Sequence, residues 1–303
     1  MFILRLLSNR NIIFALALVL GLALGDRASW ARILTIPALA IVMTVSMTQL
    51  PLSTFISKGI HKPILWSIAL NYVLFGSVTL LLAWKLVPDV EMWYGFVIVA
   101  LAPPGVAIAP FSKILSGNVR YALIGVIGAY FASLLIIPAA SMLLIGGNAF
   151  DPFRLLLILV QLIIGPFIVS RLLIRFKISI FINKLRPVIV NWGLFVVIFT
   201  VIALNRNLLF EDPGLLARAS IVASVPIFGI GFLLDTLLHR TDMPTKNISS
   251  FVLFGTVKNG GFAAASALAL FGEGASLPGA VTSIFIIIYL IVLTLRAGRT
   301  TPR

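Results

Sequence analysis

Apolar runs long enough to cross a bilayer recur from one end of the chain to the other, separated by short polar breaks. An apolar helix of about 20 residues spans the hydrocarbon layer. Matching the runs against Gly, Pro and charge punctuation predicts ten spans, near residues 11–25, 34–50, 63–84, 92–111, 119–145, 153–174, 187–204, 214–237, 248–271 and 278–295. The expected fold class is therefore all-α integral membrane. No soluble domain is expected, since the longest polar stretch runs only from His239 to Asn247.

Composition strengthens this reading. Hydrophobic residues make up 60% of the 303 positions, charged residues 11%, and the mean hydropathy is +1.14. A soluble domain carries about 25% charged residues. Cysteine is absent, so disulfides, thiolate metal sites and thiol redox chemistry are excluded. A net charge of +14 would point to nucleic acid in a soluble protein. Here the cations sit in short loops, so the expected partners are the lipid bilayer and a small-molecule solute, with no nucleic acid. Arg5 and Arg10 before the run Ile12–Gly25 resemble a signal peptide. The repeat described below needs this segment as its first span.

Charge also orients the spans. The N-terminus, the loops after spans 2, 4, 6 and 8, and the C-terminus hold sixteen of the 23 Lys and Arg residues, among them Arg5, Lys58, Lys113, Arg186, Lys246 and Arg303. The opposite side holds six: Arg27, Arg32, Lys85, Arg154, Arg206 and Arg218. The positive-inside rule then places both termini in the cytoplasm of a multi-pass cell (inner) membrane protein. The one cation left over is Lys258, in the middle of span 9.

Two spans are interrupted. Span 4 contains Pro103-Pro104-Gly105 and Pro110, and prolines remove backbone donors and clash with the preceding turn. Span 9 contains Lys258-Asn259-Gly260-Gly261. The interruptions lie half a chain apart, each in the fourth span of a five-span half. Halves with an odd number of spans are inverted relative to one another, which predicts two inverted repeats, residues 1–150 and 151–303. Irregular backbone at membrane depth survives only where it lines a cavity or is buried in protein. One such break reads as an ordinary kink, whereas matched breaks in inverted halves point to a transporter's central site. The candidate substrate or ion site comprises Lys258, Asn259, Asn71, Gly260, Pro104 and Gly105.

A lysine at the bilayer centre costs about 2.5–3.5 kcal/mol on insertion scales, so Lys258 is expected to face a cavity and to have partners. Snorkelling is a poor alternative, with about ten residues of span on either side. Asn259 and Asn71 read as cavity amides, or for Asn71 equally as interhelical hydrogen bonding. Enzyme chemistry is not expected. His61 and His239 lie in loops without metal-ligand spacing, no carboxylate occupies a span centre, and no phosphate-binding GxxxxGK[ST] loop is present. Neither cofactor nor metal is anticipated.

At these residues the chain resembles the bile acid:sodium symporter family. The resemblance rests on Pro103-Pro104-Gly105 with Gly117-Asn118-Val119, and on Lys258-Asn259-Gly260-Gly261, Ala263-Ala264-Ala265 and Leu277-Pro278-Gly279-Ala280. It implies ten helices in inverted repeats, a panel of spans 1, 2, 6 and 7 beside a core, and broken helices 4 and 9 crossing at the centre. It also implies sodium ligands that this chain lacks. The family's oxygen-bearing positions fall on Ile108, Ala109, Ala122, Val126 and Phe254, its ninth-helix Gln falls on Lys258, and a His-Asn pair of bile-acid members falls on Ile286-Ile287. A helix-3 amide is kept in kind as Asn71. The expectation is a secondary transporter of a small organic anion, with Lys258 in place of sodium. The alternatives are an exporter of the auxin-carrier type, or a ligand sensor or pore on the same fold.

Overall fold

The computed structural model describes residues 9–49, 59–146 and 151–300. Arg5, Lys58 and Arg303 of the basic tally lie outside the described residues. Within them the chain is helical: α1 (Arg10–Leu24), α2 (Thr35–Met47), α3 (His61–Leu86), α4 (Val90–Leu101), α5 (Ile108–Ile114), α6 (Val119–Leu144), α7 (Pro152–Arg175), α8 (Ile178–Leu204), α9 (Arg206–Glu211), α10 (Pro213–Leu238), α11 (Thr245–Thr256), α12 (Gly260–Phe271) and α13 (Glu273–Thr300). Seven helical stretches are long and apolar enough to cross a membrane. The first of these, Ile12–Met47, covers two of the expected spans and is 36 residues long, far beyond the need of one crossing.

That stretch folds back on itself. Gly25 at the end of α1 has φ +51°, and a 3-10 run, Gly25–Leu34, leads into α2. Gly21 packs on Ile202 and Gly25 on Arg206, so α1 ascends alongside α8. Gly193 packs on Val42 and Ala38, while Gln49 and Arg186 line one cavity, so α2 runs against α8. A first helix group, α1, α2, α7 and α8, packs on itself through these contacts, and the remaining helices form a second group around α6, α12 and α13.

Local chemistry sets the helix starts. Asp89, Asn118, Asp151, Asp212 and Asn259 each accept a hydrogen bond from a backbone N–H of the first turn that follows, giving those otherwise orphan donors a partner. Short π turns interrupt α3 at Ala69–Phe75, α7 at Val160–Ile164 and α10 at Pro226–Ile230. The span expected at 187–204 is longer: α8 begins at Ile178, with Pro187 inside the helix. Asn183, Lys184 and Arg186 lower the hydropathy just before position 187 without breaking the helix, and Pro187, the tenth residue of α8, lacks the N–H for one intrahelical bond.

Candidate functional site

The two interrupted spans are α4 and α5, and α11 and α12. Between them residues 102–107 and 257–259 are not helical, and the two segments run past each other in antiparallel pairing. The Gly105 N–H donates to the Val257 carbonyl at 2.8 Å and the Asn259 N–H to the Pro103 carbonyl at 2.9 Å, with Pro104 opposite Lys258. Each break thus supplies hydrogen bonds that the other lacks, which is how unwound backbone avoids its cost away from water. Glycine is required at position 105, where a Cβ would stand 2.9 Å from Val257 Cγ1 and 3.0 Å from the Lys258 carbonyl.

Lys258 is 2% exposed, and its side chain reaches back into the second helix group. Nζ donates to Asn71 Oδ1 at 2.8 Å, the Ala100 carbonyl at 2.7 Å and the Ala102 carbonyl at 3.0 Å. Three acceptors use three N–H donors, the complement of an ammonium rather than an amine. The carbonyls end α4, where orphan oxygens and the helix dipole favour positive charge. The faces of Tyr72 and Phe75 lie 4.9 and 5.3 Å from Nζ, within cation–π range. Asn71, fully buried, also directs Nδ2 at the Phe254 carbonyl near the end of α11, a longer contact of 3.5 Å. One amide therefore joins the ends of both half-helices.

Asn259 points elsewhere. Its Oδ1 accepts from the Phe262 N–H at 3.0 Å and caps α12, while Nδ2 donates to Tyr130 Oη at 2.9 Å and Met43 Sδ at 3.3 Å. Gly260 starts α12 against α13, where a Cβ would collide with Ser283 Oγ. Of the six candidate residues, Lys258, Asn71, Pro104 and Gly105 gather at the pairing of the breaks, while Asn259 and Gly260 open α12 beside them. Sequence reasoning missed Tyr72, Phe75, Tyr130 and Met43. Only Tyr72 and Phe75 carried a signal, lying on α3 next to Asn71 and one turn beyond it.

A cavity of about 290 Å³ lies between the two helix groups. Its walls are Val42, Met43 and Ser46 of α2, Val190, Asn191, Leu194 and Ile198 of α8, Ser283, Ile286 and Ile287 of α13, and Gly105, Val257, Gly260 and Gly261 of the crossing. Gln49, Arg186 and Leu290 line one end. Among the described lining residues the charged ones are Lys258 and Arg186, and no carboxylate is present. Among the described residues, no three His, Asp or Glu side chains gather as a metal cluster would require. The positions where the resemblance expects sodium ligands are apolar and buried: Ile108, Ala122, Val126 and Phe254 fully, and Ala109 at 6% exposure.

No curated protein matches the chain. A family model described as the Sodium Bile acid symporter family matches residues 35–209, more than half of the sequence, from the start of α2 to α9. Its members are transporters rather than enzymes, and the several apolar, membrane-length helices of this chain agree with a transporter. The chain belongs to the sodium bile acid symporter family.

Proposed function

We propose that this protein is a secondary transporter of a small organic anion that works by alternating access and without sodium. In this reading its ten spans form two inverted five-helix repeats, residues 1–150 and 151–303, the first helix group is the panel and the second the core. The supporting observation is the crossing itself. Oxygens that an unwound helix would offer a sodium ion are occupied by the Lys258 ammonium, and the positions where the resemblance expects sodium ligands hold Ile108, Ala109, Ala122, Val126 and Phe254, whose side chains bring no oxygen. Sodium is a hard cation that takes oxygen ligands, so these residues do not fit it. A lysine cannot dissociate, and so cannot couple transport to a sodium gradient.

The cavity supports an anionic solute. It carries cationic Arg186 and no carboxylate, and it is bordered by the start of α12, whose Gly260 and Gly261 N–H groups belong to the positive end of a helix dipole. Lys258 contributes charge nearby, but its donors are already engaged, so the solute's anionic group meets the α12 start and Arg186 instead. A thermal-shift screen of purified protein against organic acids tests this: binding stabilises by mass action, and Arg186→Gln is expected to weaken the shift for acids while leaving that for neutral analogues. Equal shifts for acids and their amides would contradict the anion assignment. Saturable flux in proteoliposomes separates a carrier from a pore or sensor.

The topology is tested separately. Tags fused to both termini are expected to be inaccessible from outside intact cells, as the sixteen-to-six basic bias demands. An exposed terminus would overturn the ten-span map.

A further inference from the structure

Among the described residues the cavity lining reaches one end of the molecule, that of Gln49, Arg186 and Leu290. Along α8 its lining runs from Arg186 to Ile198, about 18 Å at the helical rise, and Asn205 lies about 10 Å further on. Along α13 the first lining residue is Ser283, and Ser276 lies about 10 Å before it. At this far end the two helix groups are fastened together. Asn205 Nδ2 donates to Ser276 Oγ at 3.2 Å and to the Val201 carbonyl at 2.8 Å, and Ser276 Oγ donates to the Glu273 carbonyl at 2.6 Å. Asn205 is 2% exposed and Ser276 is fully buried. Three residues from Ser276, Glu273 pairs with Arg32 of the 3-10 run at 3.5 Å, both side chains about half exposed. Phe199, Ile202 and Ala203 pack with Ala28 and Ala31 in one apolar cluster between this end and the cavity.

We infer that Asn205–Ser276 and Arg32–Glu273 are the gate that closes the far face while the cavity is open to the side of the chain termini, and that both pairs separate when the cavity opens the other way. This rests on the alternating-access reading above. Both links join the first group to the second, whereas all three hydrogen bonds of Lys258 end on α3 and the segment closing α4, within the second group. Rocking one group against the other therefore breaks the far links and spares the lysine. Their strength suits the task. A neutral hydrogen bond and a half-exposed ion pair each shift an equilibrium by roughly tenfold or less, because water replaces the lost partners on opening.

The chain has no cysteine, so one introduced thiol gives a clean report of access. Ile198→Cys, at the deep end of the cavity on α8, is labelled with a membrane-impermeant maleimide applied to the far face of intact cells. Labelling is expected to be slow with the gate intact. Adding Ser276→Ala, or Glu273→Arg, is expected to raise its rate by about fivefold. Arg32→Glu together with Glu273→Arg, which restores an ion pair at a half-exposed position, is expected to return the rate toward its starting value. Fast labelling with the gate intact would overturn the inference. So would unchanged labelling in gate variants that elute as folded protein in size-exclusion chromatography. Labelling needs no known solute, so absence of flux would count against the carrier reading and leave the gate test standing.

Discussion

Lys258→Ala is expected to destabilise the folded protein by about 3–5 kcal/mol and to abolish transport. The substitution leaves two backbone carbonyls, Ala100 and Ala102, and the Asn71 amide oxygen without their shared donor, in a place where Asn71 is fully buried. Each unsatisfied buried acceptor costs about 1–3 kcal/mol. The loss is larger than for an exposed lysine because these carbonyls end α4 and have no helical partners to return to. Lys258→Met, which keeps an apolar stem without donors, is expected to fall nearly as far, separating lost hydrogen bonds from lost packing. Lys258→Gln, with two donors, is expected to recover part of the stability. Unfolding of purified protein in graded detergent mixtures measures the series. Equal stability of unmodified protein and Lys258→Met would show that the ammonium is not satisfying the crossing.

The second large effect is expected at Gly260. A Cβ there would meet Ser283 Oγ in collision, with the Gly279 carbonyl at 3.0 Å and the Ser283 N at 3.1 Å. Overpacking of this kind costs about 1–3 kcal/mol, and two of the three neighbours are backbone that cannot swing aside. Gly260→Ala is therefore expected to lower stability by that amount, and Gly260→Leu by more. It also displaces α12, whose first N–H groups border the cavity, so solute affinity falls with it. Ser283→Ala removes one of the three obstacles, so the double variant is expected to recover part of the loss. A double-mutant cycle measured by thermal unfolding reads this coupling. Additive losses would mean that α12 and α13 do not meet at this contact.

Much of this molecule was legible before its structure. Hydropathy located the helices because lipid admits few alternatives to a helix of bilayer length. Pro103-Pro104-Gly105 and Gly260-Gly261 marked the interruptions, because proline lacks a donor and glycine permits close approach. What sequence could not convey was direction. Lys258 and Asn259 are neighbours, yet one side chain turns toward α3 and the end of α4, and the other toward Tyr130 and Met43. That divergence follows from the extended pairing with Pro104, since successive side chains of an extended segment point to opposite sides. Sequence reasoning read Lys258 as a buried cation needing partners but could not choose between solute and backbone, and the structure buries it against Asn71 and two backbone carbonyls. The gate was equally hidden: Asn205 and Ser276 are 71 positions apart and each, alone, reads as an ordinary helix-end polar residue. The early start of α8 was missed for a simpler reason, that hydropathy reports the lipid boundary and not the helix boundary.

The cation at the crossing can be tested directly. Thermal stability of the purified protein is measured in sodium chloride and in choline chloride at equal ionic strength, for the unmodified chain and for Lys258→Ala. The unmodified protein is expected to melt at the same temperature in both salts, its cation being covalently attached. Lys258→Ala, with the same oxygens vacated, is expected to melt lower in choline and to be partly restored by sodium or methylammonium, as binding to the folded state requires. Strong stabilisation of the unmodified protein by sodium would contradict this expectation, because the site would then hold a free ion as well as the lysine.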